Sequence, residues 1–257
     1  MFPGLGVEQF DPNVVYGRRV RMLMARAEEQ TGLKLVWLRD PKDIAQAGKE
    51  GLFSLYCDVF AEPPYEEKFT PTEVQKDFET MLRKGGLVFI AKTAKKGGAV
   101  VAFVAATPLI KNPSVVEAVR PYLDISAAAD FNKNAVRPDF WSRVSRTIKT
   151  FFFGSSGPYD AVRAAAYFNE DGVRSDFRRR GISRAMKQVL LGACNASGCD
   201  TMVLRTSADS FNQAAACIQL GARQIPDLSQ DVESLKLDGT ITPDKRVFFT
   251  FDLAKYR

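Results

Sequence analysis

Apolar side chains recur at helical spacing in the first third of the chain. Residues 13–31 place apolar positions among charged ones, and Gly32 supplies a stop after the last of them. Residues 43–60 continue the same periodicity. A further helix is expected to begin at Thr70 or Thr72, where threonine precedes acidic and amide side chains as in a capping box. We therefore predict three helices before the middle of the chain.

Between and after these segments lie shorter apolar or alternating runs, which are typical of strands because successive side chains of a strand point to opposite faces. The last two runs flank a polar loop that contains two prolines and a glycine. The predicted strands cover residues 35–38, 87–92, 99–107, 161–173, 201–206, 223–225 and 247–253.

The segment from residue 108 to residue 160 separates the third predicted strand from the fourth. Its last part, residues 140–153, places apolar side chains at helical spacing with basic ones between them. The helix predicted there has three interpretations: packing on the sheet, which we favour, a lid over a substrate site, and an element at a membrane surface. The four apolar positions are Trp141, Val144, Ile148 and Phe152.

Composition limits the chemistry. The 257 residues are 46% hydrophobic and 26% charged, as expected for a globular chain with a proper core. No histidine is present, which removes the commonest general base, and the four cysteines have no metal-ligand spacing. We expect reduced thiols, no metal site, no membrane span and no secretory leader, and hence a cytoplasmic protein.

A basic turn precedes one of the predicted helices. Residues 173–184 follow a predicted strand and lead into a helix at about 182–195. The first turn of a helix leaves backbone N–H groups unpaired at the positive end of its dipole, so this is a place where an anion can bind. Gly181 lets the backbone approach such a ligand closely. The net charge of +6 also suits an anionic partner, although it does not by itself imply nucleic acid.

The same turn resembles the acyl-CoA-binding motif of the GCN5-related N-acetyltransferases (GNAT), Gln/Arg-x-x-Gly-x-Gly/Ala. Arg178-x-x-Gly181 matches the first two fixed positions, and Ser183 stands at the third. Farther along, Asn212-x-x-Ala215 and a Leu-Gly pair at 220–221 are similar to the family's next helix. The resemblance implies acetyl-CoA, or another acyl-CoA, as cofactor. The residues implied to bind it are Val173, Arg174, Arg178, Arg179, Arg180, Gly181, Ile182, Ser183, Arg184 and Asn212.

The resemblance also implies an architecture. We expect an α/β (α+β) fold with a mixed, mostly antiparallel central sheet flanked by helices. An extra N-terminal helix and a helical insertion between the third and fourth strands would be added to the family core. The domain division implied is an N-terminal helical extension at residues 1–33 and an acetyltransferase-like domain at 34–257, with an insertion at 108–160.

The implied function is transfer of an acyl group, in the first place acetyl, to a primary amine by direct attack in a ternary complex. Without histidine, the candidate bases are Glu170, Asp171 and Tyr167. Strand alternation predicts that Glu170 and Asp171 point to opposite faces, so that only one faces the site, and that Tyr167 shares the face of Val173. Cys217 stands where the family often has the tyrosine that protonates the departing thiolate.

Two alternatives stay open. The chain is either the enzyme described or a non-catalytic acyl-CoA-binding module of the same fold, and a basic nucleic-acid-binding domain is a third, weaker hypothesis. The expected acceptor is a small-molecule amine or a protein amine, with Glu62, Tyr65, Glu66 and Glu67 as residues able to meet a cation. We expect no nucleic-acid and no membrane partner. A homodimer would cover the extra helix and the aromatic insertion.

Overall fold

Seven strands form one sheet, in the order β1-β2-β3-β4-β5-β7-β6. The computed structural model describes residues 16–95, 97–134 and 164–256. Every neighbouring pair is antiparallel except β4 and β5, which run parallel. The strands are β1 (Lys34–Leu38), β2 (Leu87–Lys92), β3 (Val100–Pro108), β4 (Ala165–Val173), β5 (Thr201–Ser207), β6 (Arg223–Leu235) and β7 (Ile241–Asp252).

Helices cover both faces of this sheet. In chain order, the helices are α1 (Tyr16–Thr31), α2 (Pro41–Lys49), α3 (Leu52–Ala61), α4 (Pro71–Arg83), α5 (Pro113–Asn134), α6 (Ile182–Ala196) and α7 (Phe211–Gln219). Helices α1 and α6 pack against one face of the sheet, with Val20 and Leu190 in their shared core. Helices α2, α3 and α4 pack against the other face, around Phe78 and Phe103. The predicted mixed sheet with an added N-terminal helix is confirmed.

The prediction of one helix over residues 43–60 is wrong. The structure has two helices there, because Gly51 adopts φ +101° at the start of α3. This is the left-handed region that side chains with a Cβ avoid. The apolar periodicity continues across the break, since Ile44 of α2 and Leu55 of α3 are buried in the same cluster.

The prediction of a polar loop between residues 225 and 247 is also wrong. Strands β6 and β7 extend to Leu235 and from Ile241, and they pair as one long hairpin. Exposed polar side chains occupy much of β6, so the segment lacks the apolar alternation of a half-buried strand. A register shift between Gln224 and Ser229, next to Pro226, further obscured the pattern.

The predicted helical insertion contains helix α5, at a position where the sequence pattern did not predict a helix. Helix α5 begins directly after a short 3-10 turn that follows β3, and Val115 and Val119 bury against Tyr167 and Val203. The helix predicted over residues 140–153 lies outside the described residues. The division of the chain into an extension and a domain stays a prediction.

Helix α4 has a complete capping box. The Thr70 hydroxyl accepts from the Glu73 backbone N–H at 3.3 Å, and the Glu73 carboxylate accepts from the Thr70 N–H at 2.8 Å. Thr72 is an exposed residue of the first turn. Of the two predicted starts, the one at Thr70 is therefore confirmed.

We expect Thr70→Ala to lower the free energy of unfolding by about 1 kcal/mol, because the first turn of α4 then loses its side-chain acceptor. The matched control is Thr72→Ala, which removes an exposed hydroxyl from the same turn. Urea unfolding of both variants is the measurement. Equal losses of stability in the two variants would contradict the capping assignment.

Candidate functional site

A deep cleft opens where two neighbouring strands stop pairing. Strand β4 pairs with β3 along its length, but it pairs with β5 only from Ala165 to Phe168. Beyond Phe168 of β4 and Leu204 of β5, the two parallel strands no longer pair with each other. A cleft of about 1140 Å³ occupies this region and is lined by both strands, by the start of α6 and by α7.

The backbone of the unpaired part of β4 faces this cleft. The Arg174 N–H donates to the Val101 carbonyl of β3 at 2.9 Å. Because backbone groups alternate sides along a strand, the N–H and C=O groups of Val173 and Asp171 point away from β3, toward the opening. The edge of β4 thus offers backbone donors and acceptors to a ligand in the cleft.

A bulge at Asn169 changes which side chains share a face. Ala105 pairs with Glu170 and Ala106 with Phe168, so Asn169 is an extra residue on β4. Tyr167 and Glu170 consequently share one face, whereas Asp171 lies on the other face with Val173. The prediction that Tyr167 shares the face of Val173 is therefore wrong.

The expectation that only one of the two acidic residues faces the site is wrong as well. Glu170 and Asp171 do point to opposite faces, yet both line the cleft, because it wraps around the free edge of β4. Their surroundings differ. The Asp171 carboxylate pairs with the Lys187 ammonium at 2.8 Å, whereas the Glu170 carboxyl group makes no hydrogen bond or ion pair with another described residue.

The turn before α6 has the geometry of an anion site. Arg179 and Gly181 have φ values of +60° and +76°. No side chain caps the N-terminus of α6, so its first N–H groups are free to meet a ligand. A Cβ built on Gly181 would find no atom within 4 Å, which means that the space over the turn is open.

The cleft includes most, but not all, of the residues predicted to bind the cofactor. Arg174 and Arg180 lie outside it, where both guanidinium groups pack on the Phe177 ring, at 4.7 and 4.8 Å from its centroid. Arg174 also pairs with Asp176 at 2.7 Å. The residues that do line the cleft are Val173, Arg178, Arg179, Gly181, Ile182, Ser183, Arg184 and Asn212.

Arg178 links the turn to the loop at residues 62–69. Its Nε donates to the Val173 carbonyl at 3.0 Å, and its Nη1 pairs with the Glu62 carboxylate. Both members of the pair are about two-fifths exposed, so the ion pair itself stabilises the fold little. Its effect is to hold the guanidinium beside the free edge of β4.

At the start of α7, Ser210 and Asn212 differ in burial. Ser210 is buried and lies 3.2 Å from the Tyr65 hydroxyl, which donates to it. Asn212 is exposed at the cleft wall. Cys217 is fully buried and is not part of the cleft lining. Burial raises the pKa of its thiol to about 12, so the thiol stays protonated near neutral pH.

Glu170 is the most perturbed carboxyl group of the cleft. Burial raises its pKa to about 8, Arg246 opposes the rise, and the charges of Glu67 and Asp171 add to it. Glu67 is itself buried and accepts from Arg246 at 2.7 Å and from Ser234 at 2.9 Å.

Aromatic side chains form the wall beside Glu170. Tyr56 stacks on Phe103 at 5.4 Å between ring centroids and meets Phe69 edge to face at 5.1 Å. Burial raises the pKa of the Tyr56 phenol and that of Tyr167, where Arg205 opposes it. Two of the predicted acceptor-side residues, Tyr65 and Glu67, line this part of the cleft as well. The cleft therefore has a basic end at the turn and an acidic, aromatic end beyond β4.

Lys187 and Gln213 are among the residues of the cleft lining that sequence reasoning missed. The Lys187 side chain is only 1% exposed, and it contacts both Asp171 and Gln213. A signal was available, because residue 187 belongs to the buried stripe of α6, between Ala185 and Val189. A charged side chain in such a stripe needs a partner.

No model of a known protein family matches the chain. No curated protein sequence matches it significantly. Solved structures do match, and they show that the described chain has the GNAT fold.

A GNAT-superfamily phosphinothricin acetyltransferase from Sinorhizobium meliloti, in complex with acetyl-CoA, matches with a TM-score of 0.50 and 14% identity, over 85% of this chain and 87% of its own. A proposed acetyltransferase from Acinetobacter baylyi matches with a TM-score of 0.51 and 12% identity, over 86% and 92%. Another, from Salmonella typhimurium with its cofactor acetyl-CoA, gives 0.50 and 11%, over 86% and 94%. At sequence identities this low, the structural similarity establishes the fold alone. The fold class predicted from the sequence is thus confirmed.

None of the helices within the described ranges has the length and apolar character needed to cross a membrane.

The raised pKa of Glu170 makes stability depend on pH. Between its usual value of 4.5 and about 8, the folded protein holds a proton that the unfolded chain releases, so stability falls as pH rises through this window. We therefore compare the free energy of unfolding of Glu170→Gln with that of the unsubstituted protein. We expect this difference to shift in favour of the variant by about 2–4 kcal/mol from pH 5 to pH 9. Urea unfolding at both pH values measures this shift.

The control is Glu117→Gln, an exposed carboxylate on α5. It should follow the unsubstituted protein at both pH values. A pH-independent difference for Glu170→Gln would contradict the assignment of a half-buried, neutral carboxyl group to this position.

Proposed function

We propose that this protein is an acyl-CoA-dependent N-acyltransferase that transfers an acyl group, in the first place acetyl, to a cationic primary amine. The observation that carries the proposal is the cleft between β4 and β5. It joins an open, basic turn at a helix N-terminus to an unpaired strand edge and then to an acidic, aromatic end. Each of these features suits one part of the two substrates.

The residues present fit an acyl-CoA. The free N–H groups at the start of α6 suit a pyrophosphate, and the open space over Gly181 lets it approach. Arg178, Arg179 and Arg184 add positive charge at the same end. The outward backbone groups of Val173 and Asp171 suit the amide groups of a pantetheine arm. When bound, an acyl-CoA supplies the activated acyl thioester that an amine can attack.

The other end of the cleft suits the amine. Its carboxylates attract a cation, and the half-buried ring of Tyr65 offers an aromatic contact to the carbon chain or ammonium group. The Arg246 guanidinium pairs with two carboxylates, those of Glu67 and Asp244, at 2.7 and 2.9 Å. One positive charge thus faces two negative ones, which leaves a net negative charge beside this end of the cleft for an incoming cation.

Glu170 is the proposed general base. An amine must lose its proton to become a nucleophile, and a base works best when its pKa lies near the working pH. The pKa of about 8 meets this condition, and no charged group of the described residues donates a hydrogen bond to the carboxylate. Asp171 suits this role less, because Lys187 and Gln213 already occupy its two oxygens. The Tyr167 phenol has a raised pKa and stays protonated.

The first test is binding of acetyl-CoA, measured by calorimetric titration. We expect saturable one-site binding that Gly181→Glu abolishes, because the new side chain places a carboxylate where the anion would bind. The matched control is Gly198→Glu at the other end of α6. Gly198 also has positive φ, +88°, and open space around its Cβ position, but it lies outside the cleft. Absence of binding by the folded, unsubstituted protein would contradict the proposal.

The second test concerns the base. With an accepted amine, we expect Glu170→Gln to lower kcat by about 100-fold or more and to remove an ascending limb near pH 8 from the pH profile. Thiol release from acetyl-CoA is the assay, and Glu117→Gln is again the control. A profile that keeps the same limb in Glu170→Gln would assign it to another group, including the amine itself.

One observation favours a second candidate, a non-catalytic acyl-CoA-binding module. The residue at the family's usual general-acid position, Cys217, is fully buried and outside the cleft lining. This candidate would be supported if the protein binds acetyl-CoA but shows no turnover with diamines, aminoglycosides, amino acids or protein N-termini as acceptors. Turnover with any amine would exclude it.

A further inference from the structure

A partly buried polar network connects β4, α6 and α7 beside the point where β4 and β5 stop pairing. Lys187 of α6 donates to the Asp171 carboxylate and to the Ser183 hydroxyl, each at 2.8 Å, and to the Gln213 side-chain carbonyl at 3.1 Å. Gln213 of α7 donates in turn to the other oxygen of Asp171 at 2.6 Å. One ammonium group and one carboxylate thus connect β4, α6 and α7.

The network is closed. The three N–H bonds of the Lys187 ammonium are all used within the chain, and both Asp171 oxygens have a donor. The Lys187 and Asp171 side chains are 1% and 11% exposed, and Phe168 lies beneath the ammonium. A closed set of charge-assisted hydrogen bonds fixes a geometry more narrowly than apolar packing does.

Stability does not explain why charges occupy these positions. Taking two charges out of water costs about as much as their attraction returns, and well-packed apolar side chains often replace such a pair without loss. Lys187 has apolar neighbours on α6, so an apolar residue would continue the same stripe. What the pair adds is a defined distance between the elements that carry it.

The network lies beside the part of the cleft where β4 and β5 no longer pair. Beyond Phe168 no ladder of hydrogen bonds holds β4 to β5, so the width of the cleft must be set by other contacts. The network includes Ser183 of the proposed phosphate turn, Asp171 of the free strand edge, and Gln213, which follows Asn212 on the opposite wall.

We infer that Lys187, Asp171 and Gln213 are positioning residues that set the width of the cleft between β4 and α7, and so the affinity for the acyl-CoA. This inference rests on the proposed function for its ligand, but the network itself exists in the protein alone. It therefore predicts a property of the ligand-free protein as well as a property of binding.

The first variant is Gln213→Met, which keeps the Lys187–Asp171 pair and removes the bridge to α7. We expect the Kd for acetyl-CoA to rise about tenfold. The Tm should fall slightly, because one Lys187 N–H and one Asp171 oxygen lose their partner while the ion pair remains. The KM for the amine should stay unchanged. In the ligand-free variant, the amides of residues 211–219 should exchange with solvent about tenfold faster. The control is Gln188→Met, on the same helix as Lys187 and outside the cleft lining.

The second variant is the double substitution Asp171→Leu and Lys187→Met, which replaces the charges by apolar side chains. We expect it to keep its Tm and yet to show the same weakened binding and faster exchange as Gln213→Met. A merely structural role predicts the opposite, namely that affinity and exchange recover together with stability.

The outcomes separate the two proposals. If the unsubstituted protein binds acetyl-CoA and both variants bind it equally well, the positioning role is excluded and the proposed function stands. If no form binds acetyl-CoA, the proposed function fails, and the exchange measurement alone decides the network: unchanged exchange in both variants excludes it, and faster exchange supports it.

Discussion

The divergence of β4 from β5 is the constraint on which the rest of the structure depends. Two parallel strands that pair over only four residues leave backbone donors and acceptors without partners, and an unpaired backbone group away from water is costly. The fold leaves this edge open as a cleft, so that water or a ligand can satisfy it. The bulge at Asn169 contributes directly, because it bends β4 at the point where the pairing ends.

Charge is distributed along the cleft in two blocks, which the Arg178–Glu62 ion pair joins. The turn before α6 collects arginines around free N–H groups, whereas the loop at residues 62–69 and β6 supply carboxylates. Contacts from the hairpin hold this loop in place: the Lys236 ammonium donates to the Tyr65 carbonyl at 2.6 Å, and the Lys68 N–H donates to the Leu235 carbonyl at 2.9 Å. The long hairpin, which the sequence pattern did not predict, is thus part of the site.

Local signals predicted much of this molecule. The apolar stripe of α6, the turn at Gly181 and the alternation of the inner strands are each encoded within about a dozen residues, and each was predicted near its observed bounds. The errors arise where distant parts of the chain decide. The bulge at Asn169 depends on pairing with β3, and the face of Tyr167 follows from it. Lys187 and Asp171 are each a charged residue at a position that suits an apolar side chain, and the sequence shows this much. It does not show that the two side chains contact each other.

The central claim is that the free edge of β4 and the turn before α6 bind one ligand together. Residue-resolved hydrogen exchange with and without saturating acetyl-CoA tests it most directly. The account predicts that the amides of Asp171 and Val173 and those of residues 179–183 become protected together, while the amides of β1 at the far edge of the sheet do not change. Protection confined to other elements, or none at all, would contradict it.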